Sequence, residues 1–253
     1  MADEKNTTQT STSLSLEAQL PRIQQGLDTL GIHTPGGAQA LAQYGAMLLE
    51  QNQVMNLTAI TDPDQVVDLH FLDCAALLTI GEDFKDKTLI DVGTGAGFPG
   101  MPLKILEPTL KVTLLDSLGK RVNWLESVCK ALSLEEVACL HARGEEQAHQ
   151  EGFRDSFDFA VSRAVASLEV LSELCLPYVK VGGKFLAMKS VDSADEVDRA
   201  ARAISKLGGR LLPRVDYEIP GTGVTHRVVV VEKISPTPKG YPRRWARMQK
   251  TPL

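Results

Sequence analysis

The chain has 253 residues, 43% of them hydrophobic, enough for one substantial globular domain plus an extension. Its net charge of −5 does not mark a nucleic-acid binder by mean field, and no apolar run approaches the ~20 residues of a membrane span. The four cysteines, Cys74, Cys129, Cys139 and Cys175, show no Cys-x-x-Cys spacing and no histidine completing a zinc set, so they read as reduced thiols and no metal is expected.

Residues 1–13, MADEKNTTQTSTS, lack the basic start and apolar stretch of a signal peptide. A disordered tail on a soluble, cytoplasmic, monomeric protein is the expectation. Residues 14–57 carry two helical patterns, with Leu, Ile, Met and Ala at three- and four-residue spacing, separated by Pro35-Gly36-Gly37. A third helix starts at Asp62-Pro63-Asp64-Gln65, where Asp62 can cap, Pro63 suits the first turn and Gln65 sits at the capping-box position. Val67, Phe71, Cys74 and Leu78 then share one face. Residues 14–84 are therefore expected to form an N-terminal helical layer.

From residue 85 the rhythm changes. Strand-like runs occur at Thr88–Val92, Lys111–Leu115, Val137–Leu140, Phe157–Ser162 and Lys184–Met188. Helical segments lie between them, such as 117–132 with Val122, Leu125, Val128 and Leu132 on one face. This alternation predicts a parallel, doubly wound sheet over 85–234. Two final β-rich runs, Arg210–Ile219 and Arg227–Lys233, flank Pro220-Gly221-Thr222-Gly223 and predict a hairpin, so one strand near the C-terminus should run antiparallel. Residues 235–253 are a basic tail.

The first strand ends in Leu89-Ile90-Asp91-Val92-Gly93-Thr94-Gly95-Ala96-Gly97-Phe98-Pro99-Gly100. Gly95 to Gly100 satisfies G-x-G-x-x-G, and Asp116 follows about 20 residues later, which is the dinucleotide fingerprint. The stretch Asp91 to Gly97 also reads D-x-G-x-G-x-G, which resembles the S-adenosylmethionine (SAM) loop of class I methyltransferases. Both frames put glycines where a ligand meets the backbone. Pyrophosphate needs free N–H donors, and Pro99 removes one. SAM needs acids for its ammonium and ribose, which Asp91 and Asp116 can supply. The closing pair of β-runs also favours the methyltransferase sheet, a Rossmann-like fold with one antiparallel strand. An NAD(P)-dependent oxidoreductase and a non-catalytic RNA-binding module on the same fold stay open. The third strand leads into Arg143-Gly144-Glu145-Glu146, beside the expected adenine position; a solvated helix start is the plainer alternative.

After the fourth strand the chain reads Phe157-Asp158-Phe159-Ala160-Val161-Ser162-Arg163-Ala164-Val165. It contains neither the Asn/Asp-Pro-Pro-aromatic tetrad of amine methylation nor a cysteine nucleophile for cytosine C5. That fits an acceptor with its own lone pair, such as a ring nitrogen like guanine N7. Such an acceptor needs alignment, not deprotonation.

Several stretches together resemble the bacterial 16S ribosomal RNA guanine-N7 methyltransferases, the small-subunit methyltransferase G family, also called glucose-inhibited division protein B. They are Met55-Asn56-Leu57-Thr58-Ala59-Ile60-Thr61-Asp62-Pro63, His70-Phe71-Leu72-Asp73, Leu115-Asp116-Ser117-Leu118-Gly119-Lys120-Arg121-Val122, Ser162-Arg163-Ala164 and Lys239-Gly240-Tyr241-Pro242-Arg243-Arg244. The resemblance covers roughly residues 40–245. It implies SAM as cofactor, with Gly93, Phe98, Gly144, Glu145 and Arg163 at contact positions. It also implies methyl transfer to N7 of guanine 527 in 16S rRNA, within the 30S subunit or an assembly precursor. Two places depart from the pattern. A tryptophan-asparagine pair is Gln51-Asn52 here, and the tail ends Trp245-Ala246-Arg247-Met248-Gln249-Lys250.

The candidate site therefore has three parts. Asp91, Gly93, Gly95, Gly97, Phe98, Asp116, Gly144, Glu145 and Arg163 would hold SAM. Arg143, Arg163 and Lys189, at strand ends, would orient the guanine or a flanking phosphate. Lys120, Arg121, Lys239, Arg243, Arg244 and Arg247, with Tyr241 and Trp245 interleaved, would contact RNA. His70 and Asp73 share a helix face and could help close the pocket. Folded ribonucleoprotein, rather than charge alone, is expected to supply affinity.

Overall fold

Successive residues of a strand face opposite ways, and the strands here divide their apolar residues between two cores accordingly. Leu89, Leu114, Phe159, Val161 and Leu186 join one cluster, while Ile90, Leu115, Ala160, Phe185 and Ala187 join the other. The computed structural model describes residues 16–163 and 166–253. The expected tail at 1–13 lies outside the described residues, as do Ala164 and Val165.

The strands are β1 (Thr88–Val92), β2 (Lys111–Asp116), β3 (Val137–His141), β4 (Phe157–Arg163), β5 (Val179–Ser190), β6 (Gly209–Leu211), β7 (Val215–Glu218) and β8 (Thr225–Lys233). They form one sheet in the order β3-β2-β1-β4-β5-β8-β6, with β7 also on β8. The pairs from β3 to β5 are parallel, and β8 runs antiparallel to β5, with Leu186 opposite Val230. The chain order reverses between β1 and β4, and the crevice above those strand ends is where an open α/β sheet takes its ligand.

The predicted hairpin is present, but its first arm is split. β6 and β7 both pair with β8, and Pro213 lies between them. Proline has no N–H for the ladder, so the edge strand breaks there.

The first core packs helices Leu20–Thr29, Gly37–Met55, Gly100–Leu106 and Gly119–Ala131 against one face of the sheet. Helices Leu168–Cys175 and Ala194–Lys206 cover the other. Asp62 caps the third helix as expected, accepting from the Gln65 amide at 3.0 Å. That helix is not regular. Pro63–Val66 passes into a π-helical stretch at Val67–Leu72, where the Asp73 amide reaches back to the Asp68 carbonyl. Val67, Phe71 and Cys74 remain fully buried despite the change of period.

The C-terminal segment is part of the fold. Thr237 and Met248 are buried, and Trp245–Lys250 is a short helix. No helix of the described residues is long and apolar enough to cross a membrane.

Candidate active site

After β1 the chain turns through Gly93, Gly95 and Gly97 at φ 73°, 60° and 100°. Those angles suit glycine alone without strain. At Gly97 space forbids a side chain as well: a Cβ would lie 2.6 Å from Met101 Cγ and 2.7 Å from the Tyr44 hydroxyl. That hydroxyl donates to the Ala96 carbonyl, so the N-terminal helical layer holds the loop directly.

Asp91 sits under this loop, fully buried. Its Oδ2 accepts from Thr94 Oγ1 at 2.7 Å and from the Gly100 amide at 2.8 Å, while Oδ1 has no partner among the described residues. Burial pushes its carboxyl up to about 6, against the two hydrogen bonds. A carboxyl with a raised folded-state pKa costs stability as pH rises from the ordinary value near 4 to 6. Asp91→Asn keeps one acceptor and cannot ionise. Its stability relative to wild type should therefore climb by about 2 kcal/mol between pH 4 and pH 6 and level off above about pH 7. Urea denaturation of both proteins across that range would show it; parallel pH curves would refute it.

The loop borders a cavity of about 470 Å³, a size that suits a small cofactor. Asp116, from the end of β2, lines it and is 5% exposed. Its Oδ2 accepts from the Gly95 amide at 2.9 Å and Oδ1 from the Leu118 amide at 2.8 Å. Four more of the loop amides are engaged too. Gly93 and Thr94 donate to the Leu115 carbonyl, and Gly97 and Phe98 donate to the Thr94 carbonyl. A pyrophosphate would find few donors here. The Gly93 and Gly95 carbonyls accept nothing within the described chain, so they suit an ammonium. Each Asp116 oxygen keeps a lone pair for a ribose hydroxyl. Gly144 and Glu145 border the same cavity. The donor set thus fits SAM and does not fit a dinucleotide.

Arg163, at the end of β4, lines the cavity with a side chain 17% exposed. Its Nη1 donates to the Leu69 carbonyl at 2.9 Å and to Asp73 Oδ2 at 3.2 Å. Its Nη2 donates to His70 Nδ1 at 3.0 Å, and its guanidinium lies 4.9 Å from the Phe98 ring centre. Five N–H groups less three leave two for a ligand. His70 Nδ1 lies 3.2 Å from the Leu69 carbonyl as well, but that carbonyl already accepts from Arg163 at 2.9 Å and arginine can only donate, so we assign a bare Nδ1 and an Nε2–H that donates to Thr58 Oγ1 at 2.8 Å. Burial first, and the Arg163 charge second, lower His70 to about 4, so it is neutral. Its ring stacks on Phe98 at 4.4 Å. Neither nitrogen is left to act as a base.

Asp73, 2% exposed, compensates the Arg163 charge. Burial alone would raise its pKa, but hydrogen bonds from His226 and Tyr217 and the Arg163 charge hold it low. Its Oδ1 accepts from Tyr217 at 2.7 Å and His226 at 2.8 Å. The cluster ties the π-helical segment to β4, β7 and β8.

The remaining predicted residues separate. Arg143 borders the cavity, exposed, 4.0 Å from Glu145. Arg121 also borders it, 3.6 Å from Asp116. Lys120, Lys239, Arg244 and Arg247 are exposed. Lys189 does not border the cavity; its ammonium is held by Glu196 at 2.9 Å and the Ala166 carbonyl at 3.0 Å. Arg243 grips buried Glu173 through Nε at 2.8 Å and Nη2 at 2.6 Å. Asp91, under the loop, and Gly97, within it, are not on the cavity wall. Three contributors escaped sequence reasoning in these roles: Thr58, the Tyr217–His226 pair, and Trp245 as a cavity wall. Asn52 positions Thr58, exchanging hydrogen bonds with its amide and carbonyl at 2.8 and 2.9 Å.

The family described as rRNA small subunit methyltransferase G matches residues 37–217. A ribosomal RNA small subunit methyltransferase G from Clostridium tetani is 46% identical over 214 residues, 85% of this chain and 90% of that one. The protein of that name from Alkaliphilus metalliredigens is 45% identical over 232 residues, 91% of this chain and 97% of that one. Among solved structures, a SAM-dependent methyltransferase from Aquifex aeolicus superposes with a TM-score of 0.52 at 19% identity, covering 71% of this chain and 97% of that one. That last likeness concerns the fold alone: a class I, Rossmann-like methyltransferase sheet.

Proposed function

The chain belongs to the rRNA small subunit methyltransferase G family, and we propose that this SAM-dependent rRNA methyltransferase modifies N7 of guanine 527 in 16S rRNA. SAM, when bound, supplies a methyl carbon made electrophilic by the neighbouring sulfonium. The residues around the cavity then have to hold, align and exclude water.

One observation carries the choice of acceptor. The cavity's imidazole, His70, is neutral and engaged at both nitrogens, and no cysteine borders the cavity among the described residues. An exocyclic amine or a cytosine carbon would need a base or a nucleophile there. Guanine N7 needs neither, because its lone pair is already free. Alignment at close approach is the main requirement.

We assign Asp116 to the ribose, the Gly93 and Gly95 carbonyls to the ammonium, and Gly144 and Glu145 to the neighbourhood of the adenine. We assign the two remaining N–H groups of Arg163, a cavity-lining residue, to the reacting end. Its charge is balanced by Asp73, so the site does not meet a cationic product with a bare cation. Arg143, Lys120, Lys239, Arg244 and Arg247 provide exposed positive charge for phosphates. Arg243 and Lys189 instead fasten the segments that carry the wall of the site. A net charge of −5 with cations on few segments favours a folded 30S subunit or precursor in the cytoplasm over free RNA.

The test is methyl transfer from labelled SAM to 30S subunits lacking the modification, followed by mapping of the base. Label at N7 of one guanine is expected. Label elsewhere, or none with SAM bound, would overturn the acceptor. Equal activity on a short naked hairpin would overturn the preference for 30S.

A further inference from the structure

Trp245 is the one aromatic residue that the C-terminal segment contributes to the cavity wall. We propose that it covers the adenine of the cofactor, which makes residues 236–253 part of the SAM site; this rests on the SAM reading above.

The placement of Trp245 argues for this. The cavity reaches both faces of the sheet. Phe98 and Leu57 pack into the first core, with His70 stacked on Phe98. Leu174, Ala142 and Trp245 pack into the second. Gly144 joins that second group: a Cβ on it would lie 3.0 Å from Leu174 Cδ1 and 3.2 Å from Val92 Cγ1. Trp245 therefore belongs to the second-core side of the cavity, in a helix packed on Leu168–Cys175, whereas Phe98 and the His70 ring stacked on it belong to the first-core side. A flat, apolar π-surface next to glycine and leucine fits a purine ring.

The backbone that carries the indole is fastened on both sides of it. Two residues before it, Arg243 donates from its amide, Nε and Nη2 to Glu173 at 2.8, 2.8 and 2.6 Å, and the Glu173 side chain is 1% exposed. The residue after Glu173 is Leu174, itself on the cavity wall. His149 Nε2 lies 3.0 Å from the Pro242 carbonyl, and Arg154 donates to the Tyr241 carbonyl at 2.8 Å. Met248, one helical turn on, is fully buried. A stacking residue on a seat this constrained loses little side-chain freedom when ligand arrives.

Binding of S-adenosylhomocysteine by calorimetry, with intrinsic fluorescence in parallel, tests the idea. Trp124, the other tryptophan, is buried and does not border the cavity. Trp245→Ala should weaken binding about ten-fold, and Trp245→Phe by no more than about three-fold. Trp245→Phe should also lose the ligand-induced fluorescence change while still binding. That second reading stands even if the alanine variant folds poorly. Unchanged affinity in Trp245→Ala, or an undiminished fluorescence change in Trp245→Phe, would overturn the proposal. Weakened binding of 30S with unchanged cofactor affinity would overturn it too, and would give the indole to the RNA. If the wild-type protein itself fails to bind, the SAM reading falls instead.

Discussion

Arg163→Ala should lower methyl transfer by at least ~100-fold and destabilise the protein by about 3 kcal/mol. The stability loss has a stated source. Asp73 is 2% exposed and carries a negative charge that Arg163 helps to balance. Removing one partner of a buried pair leaves the other desolvated and uncompensated. Tyr217 and His226 still donate to Asp73 Oδ1, so the cost should lie at the low end for such a pair. For a chain of this size the melting temperature should fall by about 10 °C. The rate loss has a different source. Without the guanidinium, His70 and the Leu69 carbonyl lose their donor, and Phe98 loses its cation. Arg163→Lys separates the two effects. An ammonium can pair with Asp73 but cannot span Leu69, Asp73 and His70 together. Stability should largely return, while transfer stays at least ten-fold down at saturating SAM. Thermal melts and single-turnover transfer to unmodified 30S measure the two quantities. Wild-type turnover in folded Arg163→Ala would remove Arg163 from the reaction. Additive losses in Arg163→Ala and Asp73→Asn would deny their coupling.

Much of this site is legible in the chain, for physical reasons. β1 and β2 are short and alternate between two cores, and β1 ends in turn chemistry that only glycine tolerates. Asp116 closes β2 at the end facing the crevice, so its place is set by topology. Arg163 likewise follows from its position at the end of β4. Longer-range pairing is harder to read. Arg243 looks like part of an RNA-binding run because its neighbours from Pro236 to Leu253 include no acid. Its partner, Glu173, lies 70 residues away in sequence. Lys189 is similar: Glu196 is only seven residues on, but it lies across a turn that the hydrophobic pattern does not describe. In each case a cation read as a ligand contact is a fastener.

Backbone details were hidden for another reason. A hydrophobic period near 3.6 does not distinguish an α-helix from one containing a π-helical stretch. The sequence around His70-Phe71-Leu72-Asp73 therefore gives a face but not the Asp73-to-Asp68 bond. Such stretches are frequent at functional sites. This one lies between the residues that meet Arg163: Leu69 and His70 from within it, and Asp73 just after it. The glycine loop presents the complementary case. Its composition shows that the backbone is approachable but not which backbone groups remain free. The Leu115 carbonyl and the Asp116 carboxylate engage three of its amides, while the Gly93 and Gly95 carbonyls receive no donor from the described residues. That accounting, rather than the glycine count, separates an ammonium site from a phosphate site.

Asp116→Ala should weaken S-adenosylhomocysteine binding by at least ~100-fold. The carboxylate has two functions that fail together. It receives the Gly95 and Leu118 amides, which fixes the glycine loop against the start of the Gly119–Ala131 helix. It also offers its outer lone pairs to a ribose. A hydrogen bond to a charged group contributes about 1.5–3 kcal/mol, so losing two ribose contacts alone reaches ~100-fold. Asp116→Asn should fall between. Its amide nitrogen must oppose one of two backbone donors, so either the loop or the helix start loses its acceptor. The kinetic signature separates this residue from Arg163. A binding defect is overcome by raising SAM, so Asp116→Asn should recover most of its maximal rate at high cofactor. A defect in aligning the acceptor is not, so Arg163→Lys should stay slow at any SAM concentration. Calorimetry with S-adenosylhomocysteine and a SAM titration of the rate decide the matter. Affinity within three-fold of wild type in Asp116→Ala would deny the carboxylate its place on the ribose. A low maximal rate in Asp116→Asn that SAM cannot raise would move it from holding the cofactor to shaping the reacting end.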